Sequence, residues 1–283
     1  MFYQSNYWDL SVSSKHKLLN INLREIIRYR DLIIMFFLRD FTITYKQTIL
    51  GPLWYIISPL LSTITYTFVF GGIAGIGTNG IPSLLFYFGG TTLWTFFSAS
   101  LNTASGIFLN NSGVFGKVYF PRLVVPIATT FSACLKLFIQ FAILMVFLVY
   151  YILSGNPVRP SLTAFLFPLM IIWLACLGTG IGMIISSLTT KYRDLNHLLG
   201  LILQLAMYAT PVVYPLSQVP QKFKLFFYIN PVSAPMELFR MWFYGAGEVP
   251  ALMVISSISI SILVVFFGLI LFNRNARTCM DVI

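Results

Sequence analysis

Long apolar runs separated by short polar stretches dominate this chain. Six of them approach or exceed the roughly 20 residues needed to cross about 30 Å of hydrocarbon. They cover residues 56–76, 83–106, 123–153, 162–188, 198–216 and 250–272. The third is long enough to require tilt or projection beyond the bilayer. Ahead of the first, Asn22 to Phe41 reads as a two-faced helix. Arg24, Arg28, Asp31 and Arg39 recur on one side, and Leu23, Ile26, Ile33, Phe37 and Phe41 on the other, with Arg30 near the apolar side. A basic amphipathic helix of this kind suits the headgroup layer. Between the fifth and sixth runs, Pro211, Pro215, Pro220, Pro231 and Pro235 interrupt an aromatic-rich segment. Its apolar pieces, near 222–229 and 235–244, are too short to span and predict a re-entrant helical pair on the outer side.

The expected fold class is therefore an all-α integral membrane protein. It has six transmembrane helices, an N-terminal amphipathic interface helix, and a re-entrant helical pair between spans five and six. The expected organisation is a polar extension over 1–21, an interface helix and entrance segment over 22–55, a six-span domain over 56–273 and a tail over 274–283.

Composition supports this class. The 283 residues are 58% hydrophobic and 9% charged, against about a quarter charged in soluble domains. The start, "MFYQSNYWDLSVSSKHK", has no apolar core, so no cleaved signal peptide is expected. The net charge of +10 would suit nucleic acid, but its distribution follows the positive-inside rule instead. Lys15, Lys17, Arg24, Arg28, Arg30, Arg39, Lys46, Lys117, Arg122, Lys191, Arg193, Arg274 and Arg277 fall on one side of the six runs. Arg159, Lys222, Lys224 and Arg240 fall on the other. Both termini are thus expected in the cytoplasm, and no nucleic-acid partner is expected. Three scattered cysteines suggest neither a disulfide framework nor a metal site.

Candidate chemistry is sparse. "SGVFGK" ends in a Gly-Lys pair, yet Asn111 and Val118 stand where a phosphate loop needs Gly and Ser or Thr. His16 and His197 are far apart, and no Gly-x-Ser-x-Gly elbow is present. None of the six runs contains Asp or Glu, whereas ion-coupled carriers commonly place a carboxylate near the midplane. A pore lacking both an ATP loop and a coupling acid points to a transport subunit driven by a separate motor. Lys136, with Gln140 one turn on, either faces a cargo path or pairs locally and snorkels. "GTGIG" places Gly178 and Gly182 on a small-residue stripe with Ser186, a pattern for close helix packing. Pro168 is expected to bend the same span. Aromatic residues reach 17%, and a minority facing a pore would suit sugars.

Several segments together resemble one family, the membrane subunits of type-2 ABC exporters for polysaccharides: O-antigen, teichoic acid and capsule. They are Arg39 with "TYKQTILGPLWYIISPLL", "GGTTLWTFFSASL", "NNSGVFGKVYFPRLVVP", "KYRDL" and "YATPVVYP…YINPV". Pro52 and the polar extension depart from the pattern. The resemblance implies a homodimer with two copies of a cytoplasmic ABC ATPase, which binds ATP and magnesium; no cofactor is expected in this chain. It also implies a polyprenyl-diphosphate-linked glycan cargo in contact with membrane lipid, in a bacterial inner membrane.

On this resemblance Arg39, Tyr45, Lys46 and Trp54 are candidates for receiving the lipid diphosphate. Phe115, Lys117, Tyr119, Phe120, Pro121 and Arg122 are candidates for an aromatic-plus-cation surface that couples to the ATPase, with Tyr192, Arg193 and Asp194 as a second contact. Tyr66, Trp94, Phe97 and Lys136 are candidates for the channel, and Tyr208, Pro211, Tyr214 and Pro215 for an outer gate. Three other readings stay open: a related exporter of a drug or lipid, a membrane enzyme, and an ion channel.

Overall fold

The computed structural model describes residues 23–46, 50–115, 120–190, 192 and 194–282. These residues form helices and connecting turns, and no strand occurs among them. Helices α1 (Leu23–Arg28) and α2 (Arg30–Tyr45) form the amino-terminal arm. Helix α3 (Trp54–Tyr66) continues as one wide π turn over Thr67–Ile73. Then come α4 (Ser83–Ser105), the short α5 (Ile107–Asn110) and α6 (Ser112–Phe115), and the long α7 (Val124–Leu153). A 3-10 turn over Leu162–Leu166 leads into α8 (Phe167–Thr189), followed by α9 (Leu195–Tyr208). The proline-rich segment after α9 carries α10 (Gln221–Ile229) and α11 (Ser233–Tyr244), and α12 (Ala251–Val282) follows.

Among the described residues, Trp54–Ile73, Val124–Leu153, Leu162–Thr189 and Ala251–Ala276 are long and apolar enough to cross a membrane. Helix α4 is the hub, packed against α3, α7, α8 and α11. It is 23 residues long, about 34 Å at 1.5 Å per residue, and less apolar because it carries Gly89-Gly90-Thr91-Thr92. Gly178 and Gly182 of α8 face it as the small-residue stripe predicts. A Cβ on Gly178 would lie 2.9 Å from the Phe97 carbonyl, and one on Gly182 would lie 2.6 Å from the Leu101 carbonyl.

Three expectations need correction. The fifth apolar run is helical only from Leu195 to Tyr208, about 21 Å. Pro211 supplies no amide hydrogen, and the chain turns at 209–212. Pro168 lies in the first turn of α8, where proline is tolerated, and so does not bend the span's interior. The arm is also less two-faced than its charges suggest. Ile26 and Phe36 are buried, but Ile27, Ile34, Met35, Leu38 and Ile43 are exposed.

Candidate functional site: a polar passage along α3, α4 and α7

Three helices carry polar side chains at helical spacing on the faces they turn toward one another. On α3 the series is Tyr55, Ser58, Ser62 and Tyr66; on α4 it is Thr103, Thr95 and Thr91, with the small Ala99 at the step between the first two. On α7 it is Thr129, Ser132, Lys136 and Gln140. Steps of three and four keep each series on one face of its helix. Two cavities lie along them. The first is an open cleft of about 610 Å³ lined by Arg39, Asp40, Tyr55, Thr103, Asn111, Ser132 and Lys136, among others. The second is a groove of about 90 Å³ lined by Ser58, Ser62, Tyr66, Thr91, Trp94, Lys136 and Gln140, with Met207. Lys136 belongs to both. The cleft lies in the range of small-ligand sites. The groove is several-fold smaller than the cleft, so this chain alone is narrow there.

Most of these hydroxyls donate to carbonyls one turn back: Ser62 to Ser58 at 3.1 Å, Thr91 to Tyr87 at 2.8 Å, Thr103 to Ala99 at 2.9 Å. Their oxygens stay available as acceptors on the cavity side. Gln140 donates to the Tyr55 carbonyl at 3.3 Å, joining α7 to the first turn of α3.

Of the channel candidates, Tyr66, Trp94 and Lys136 line the same groove. Phe97 departs from it: it is 4% exposed and packs behind Trp94, ring centres 5.4 Å apart, in the hydrophobic core. Of the diphosphate candidates, Arg39 lines the cleft but is already engaged. It is paired with Asp40 at 2.8 Å, donates to Asn111 Oδ1 at 3.2 Å, and lies 4.7 Å over the Phe36 ring. Lys46 is exposed, and Trp54 is 48% exposed at the start of α3, outside both cavity linings. The side chain of Tyr45 lies outside the described residues.

The coupling segment is organised differently from a simple surface. Phe120 is buried at 5% exposure, so it is an internal strut and presents nothing to a partner. Its ring centre lies 6.0 Å from Phe36 of α2 and 5.7 Å from Phe115. Phe115 contacts Phe108 at 6.0 Å, and Phe108 stacks on Phe272 of α12 at 4.7 Å. One aromatic cluster thus links α2, the 106–122 segment and α12. The Arg122 guanidinium lies 5.6 Å over Phe115, and half-buried Pro121 precedes α7. Tyr192 and Asp194 are exposed ahead of α9. Lys117, Tyr119 and Arg193 lie outside the described residues.

The proline-rich segment after α9 and helix α11 contain a cluster that the sequence reading missed. Arg240, counted there among outer loop charges, is 3% exposed and paired with Glu237 at 2.6 Å. Arg240 also donates to the Val212 carbonyl at 2.9 Å and lies 3.9 Å over the Phe86 ring. Glu237 accepts from the Leu216 amide at 3.3 Å. Asn230 donates to the Ala209 carbonyl at 3.1 Å. The gate candidates sit inside this framework: Pro211 and Pro215 are buried, and the Tyr214 hydroxyl donates to the Tyr208 carbonyl. The i,i+3 spacing of Glu237 and Arg240 on a short helix was the available signal. The recurring Ser and Thr of α3 and α4 were the signal for the passage.

A hub helix under glycine-mediated packing, long apolar helices and an amino-terminal arm are the features of a multi-pass membrane transporter subunit. Residues 31–244 match the family model described as ABC-2 type transporter, and the chain belongs to that family. It is similar to an O-antigen export system permease protein RfbA of Klebsiella pneumoniae, with 28% identity over 86% of this chain and 92% of the relative. It is 26% identical to an RfbA of Myxococcus xanthus over 85% of this chain and 92% of that protein. The polysialic acid transport protein KpsM of Escherichia coli is 26% identical over 72% of this chain and 78% of its own length.

Proposed function

We propose that this chain is the permease subunit of an ATP-driven ABC exporter that moves a polyprenyl-diphosphate-linked polysaccharide out of the cytoplasm. The reading is supported by the two polar-lined cavities along α3, α4 and α7, which share Lys136, in a chain whose relatives are named for O-antigen and polysialic acid transport. Drawing bare hydroxyls into hydrocarbon costs a few kcal/mol each. A sugar chain therefore needs acceptors along its path, and these hydroxyl-bearing faces supply them. A hydrophobic drug would need none.

In this proposal α4 and α9 join the four apolar helices as spans, giving six, with both termini cytoplasmic and α10–α11 re-entrant on the outer side. Two copies pair, which widens the narrow groove. Two copies of a separate ATPase dock near Phe115–Arg122 and 192–194 and supply ATP and magnesium. Force on the 106–122 segment reaches α2 through Phe120–Phe36 and through Arg39–Asn111, and reaches α12 through Phe108–Phe272.

Deletion of the chain should leave glycan in the cytoplasm and none at the cell surface. Surface glycan at the parental level would refute the reading; unchanged glycan with altered drug or lipid efflux would favour the alternative exporter. The link from arm to coupling segment is tested separately. Asn111→Ala removes the acceptor of Arg39 and should cost about 1–2 kcal/mol of stability. It should lower export several-fold more than ATP hydrolysis. Equal losses in both would show that Asn111 serves stability alone.

A further inference from the structure

We propose that Lys136 is an anion-binding residue at the throat of the passage, taking a phosphate-class group. The proposal deepens the export reading and rests on it for the meaning of the cleft. Lys136 lies twelve residues beyond the start of α7, about 18 Å along the helix. It is the residue shared by the cleft and the groove. Among the described residues no hydrogen bond or ion pair engages its ammonium group. Its one polar contact is with the Tyr55 ring, 5.4 Å away. Gln140 holds Tyr55 in that position through its carbonyl.

The neighbours leave little else to balance this charge. Among the described residues Asp40 is the one acid lining the cleft, 2.8 Å from the Arg39 guanidinium, and none lines the groove. Thr103, Thr129 and Ser132 donate to Ala99, Pro126 and Ala128 of their own helices. They therefore offer acceptors to the cavity, which suit sugar hydroxyls and repel an anion. Of the two cations that line the cleft among the described residues, Arg39 has an acid beside it and Lys136 does not. An amine in a transmembrane segment is costly without a counter-charge, and a ring face offsets part of that cost. An anionic group arriving through the cleft would offset the rest. Arg39, already satisfied by Asp40 and Asn111, then serves as a structural tie.

The test uses the full chain in phosphatidylcholine nanodiscs, with amine acetylation mapped by mass spectrometry and inorganic pyrophosphate as the probe. Acetylation of Lys136 should fall at least about threefold as pyrophosphate is raised, relative to exposed Lys222. An equal fall at both lysines overturns the proposal. So does failure of Lys136 to react without pyrophosphate, because a site open to an anion is open to the reagent. Repeating the labelling in phosphatidylglycerol nanodiscs separates the sources. Protection without pyrophosphate assigns the group to a lipid headgroup, and protection requiring pyrophosphate assigns it to a cargo phosphate. In cells, Lys136→Gln should lower export about tenfold while Lys136→Arg keeps most of it, with membrane levels of both variants matched. Parental export by Lys136→Gln overturns the proposal. Absent protection, with export still lost on deletion, removes the anion site and keeps the export reading. Protection, with surface glycan unaffected by deletion, does the reverse.

Discussion

Replacing Glu237 with alanine is expected to destabilise the protein by about 3–5 kcal/mol, the range for removing one partner of a buried ion pair. Glu237 and Arg240 are 2% and 3% exposed, so water cannot take over the lost contact. The guanidinium would keep the carbonyls of Val212 and Tyr214 and the Phe86 face, but none of these carries a compensating full charge. The Leu216 amide would also lose its acceptor, and the chain between α9 and α10 would lose one of its fixed points. The double variant Glu237→Leu, Arg240→Met removes both charges and should recover much of the stability, because apolar pairs of similar volume often match buried ion pairs. It should not recover export if the fixed shape of residues 209–216 matters to the outer gate. Detergent-solubilised protein heated and assayed for monodispersity would measure the first effect, and surface glycan the second. A single variant as heat-resistant as the parent would mean that the pair is not closed to water.

The helices were largely legible because they are written in local periodicity. The runs at 83–106, 123–153 and 162–188 predict α4, α7 and the 3-10 turn with α8 to within a residue at each end. The stop of α9 at Tyr208 was missed because Val212, Val213 and Leu216 are as apolar as a span, yet they are buried in a turn. Hydropathy measures burial and does not distinguish a helix from a folded-back segment. Arg240 was misread for the related reason that a charge in a proline-rich segment looks like a loop charge until its partners are known. Glu237 is three residues away, but the carbonyl partners that hold the guanidinium inside lie 26 and 28 residues earlier, at Tyr214 and Val212. The passage was half legible. Lys136 and Gln140 stood out as polar in an apolar run, whereas Ser58, Ser62, Thr91 and Thr95 read as neutral members of theirs. That Arg39 lines the same cleft as Lys136 depends on packing between α2 and α7, which no local pattern encodes.

Gly182→Leu should damage the fold at least as severely as loss of Glu237, and by a different route. Helices in lipid associate through close van der Waals contact, since burial from water contributes little between them. Here α8 approaches α4 so closely that a Cβ on Gly182 would meet the Ala104 Cβ and lie 2.6 Å from the Leu101 carbonyl. Neither is the tip of a flexible side chain, so the helices must separate or rotate. The same contact continues at Gly178, and on the opposite side of α8 Gly268 of α12 lies against the Gly180 carbonyl, where an added Cβ would be 2.6 Å away. A displaced α8 is therefore resisted from both sides. Overpacking of this kind costs about 1–3 kcal/mol and more where backbone is the obstacle. It should also shift Thr91, Thr95 and Thr103, because α4 carries them. The expected result is little folded protein in the membrane and no export, with Gly182→Ala intermediate. Gly200→Leu is the matched control: a Cβ there meets nothing within 4 Å, and its level in the membrane should equal the parent's. If Gly182→Leu accumulates and exports like Gly200→Leu, then α4 and α8 are not held at this distance in the working transporter, and the hydroxyl series on α4 is not fixed against α3 and α7 by that contact.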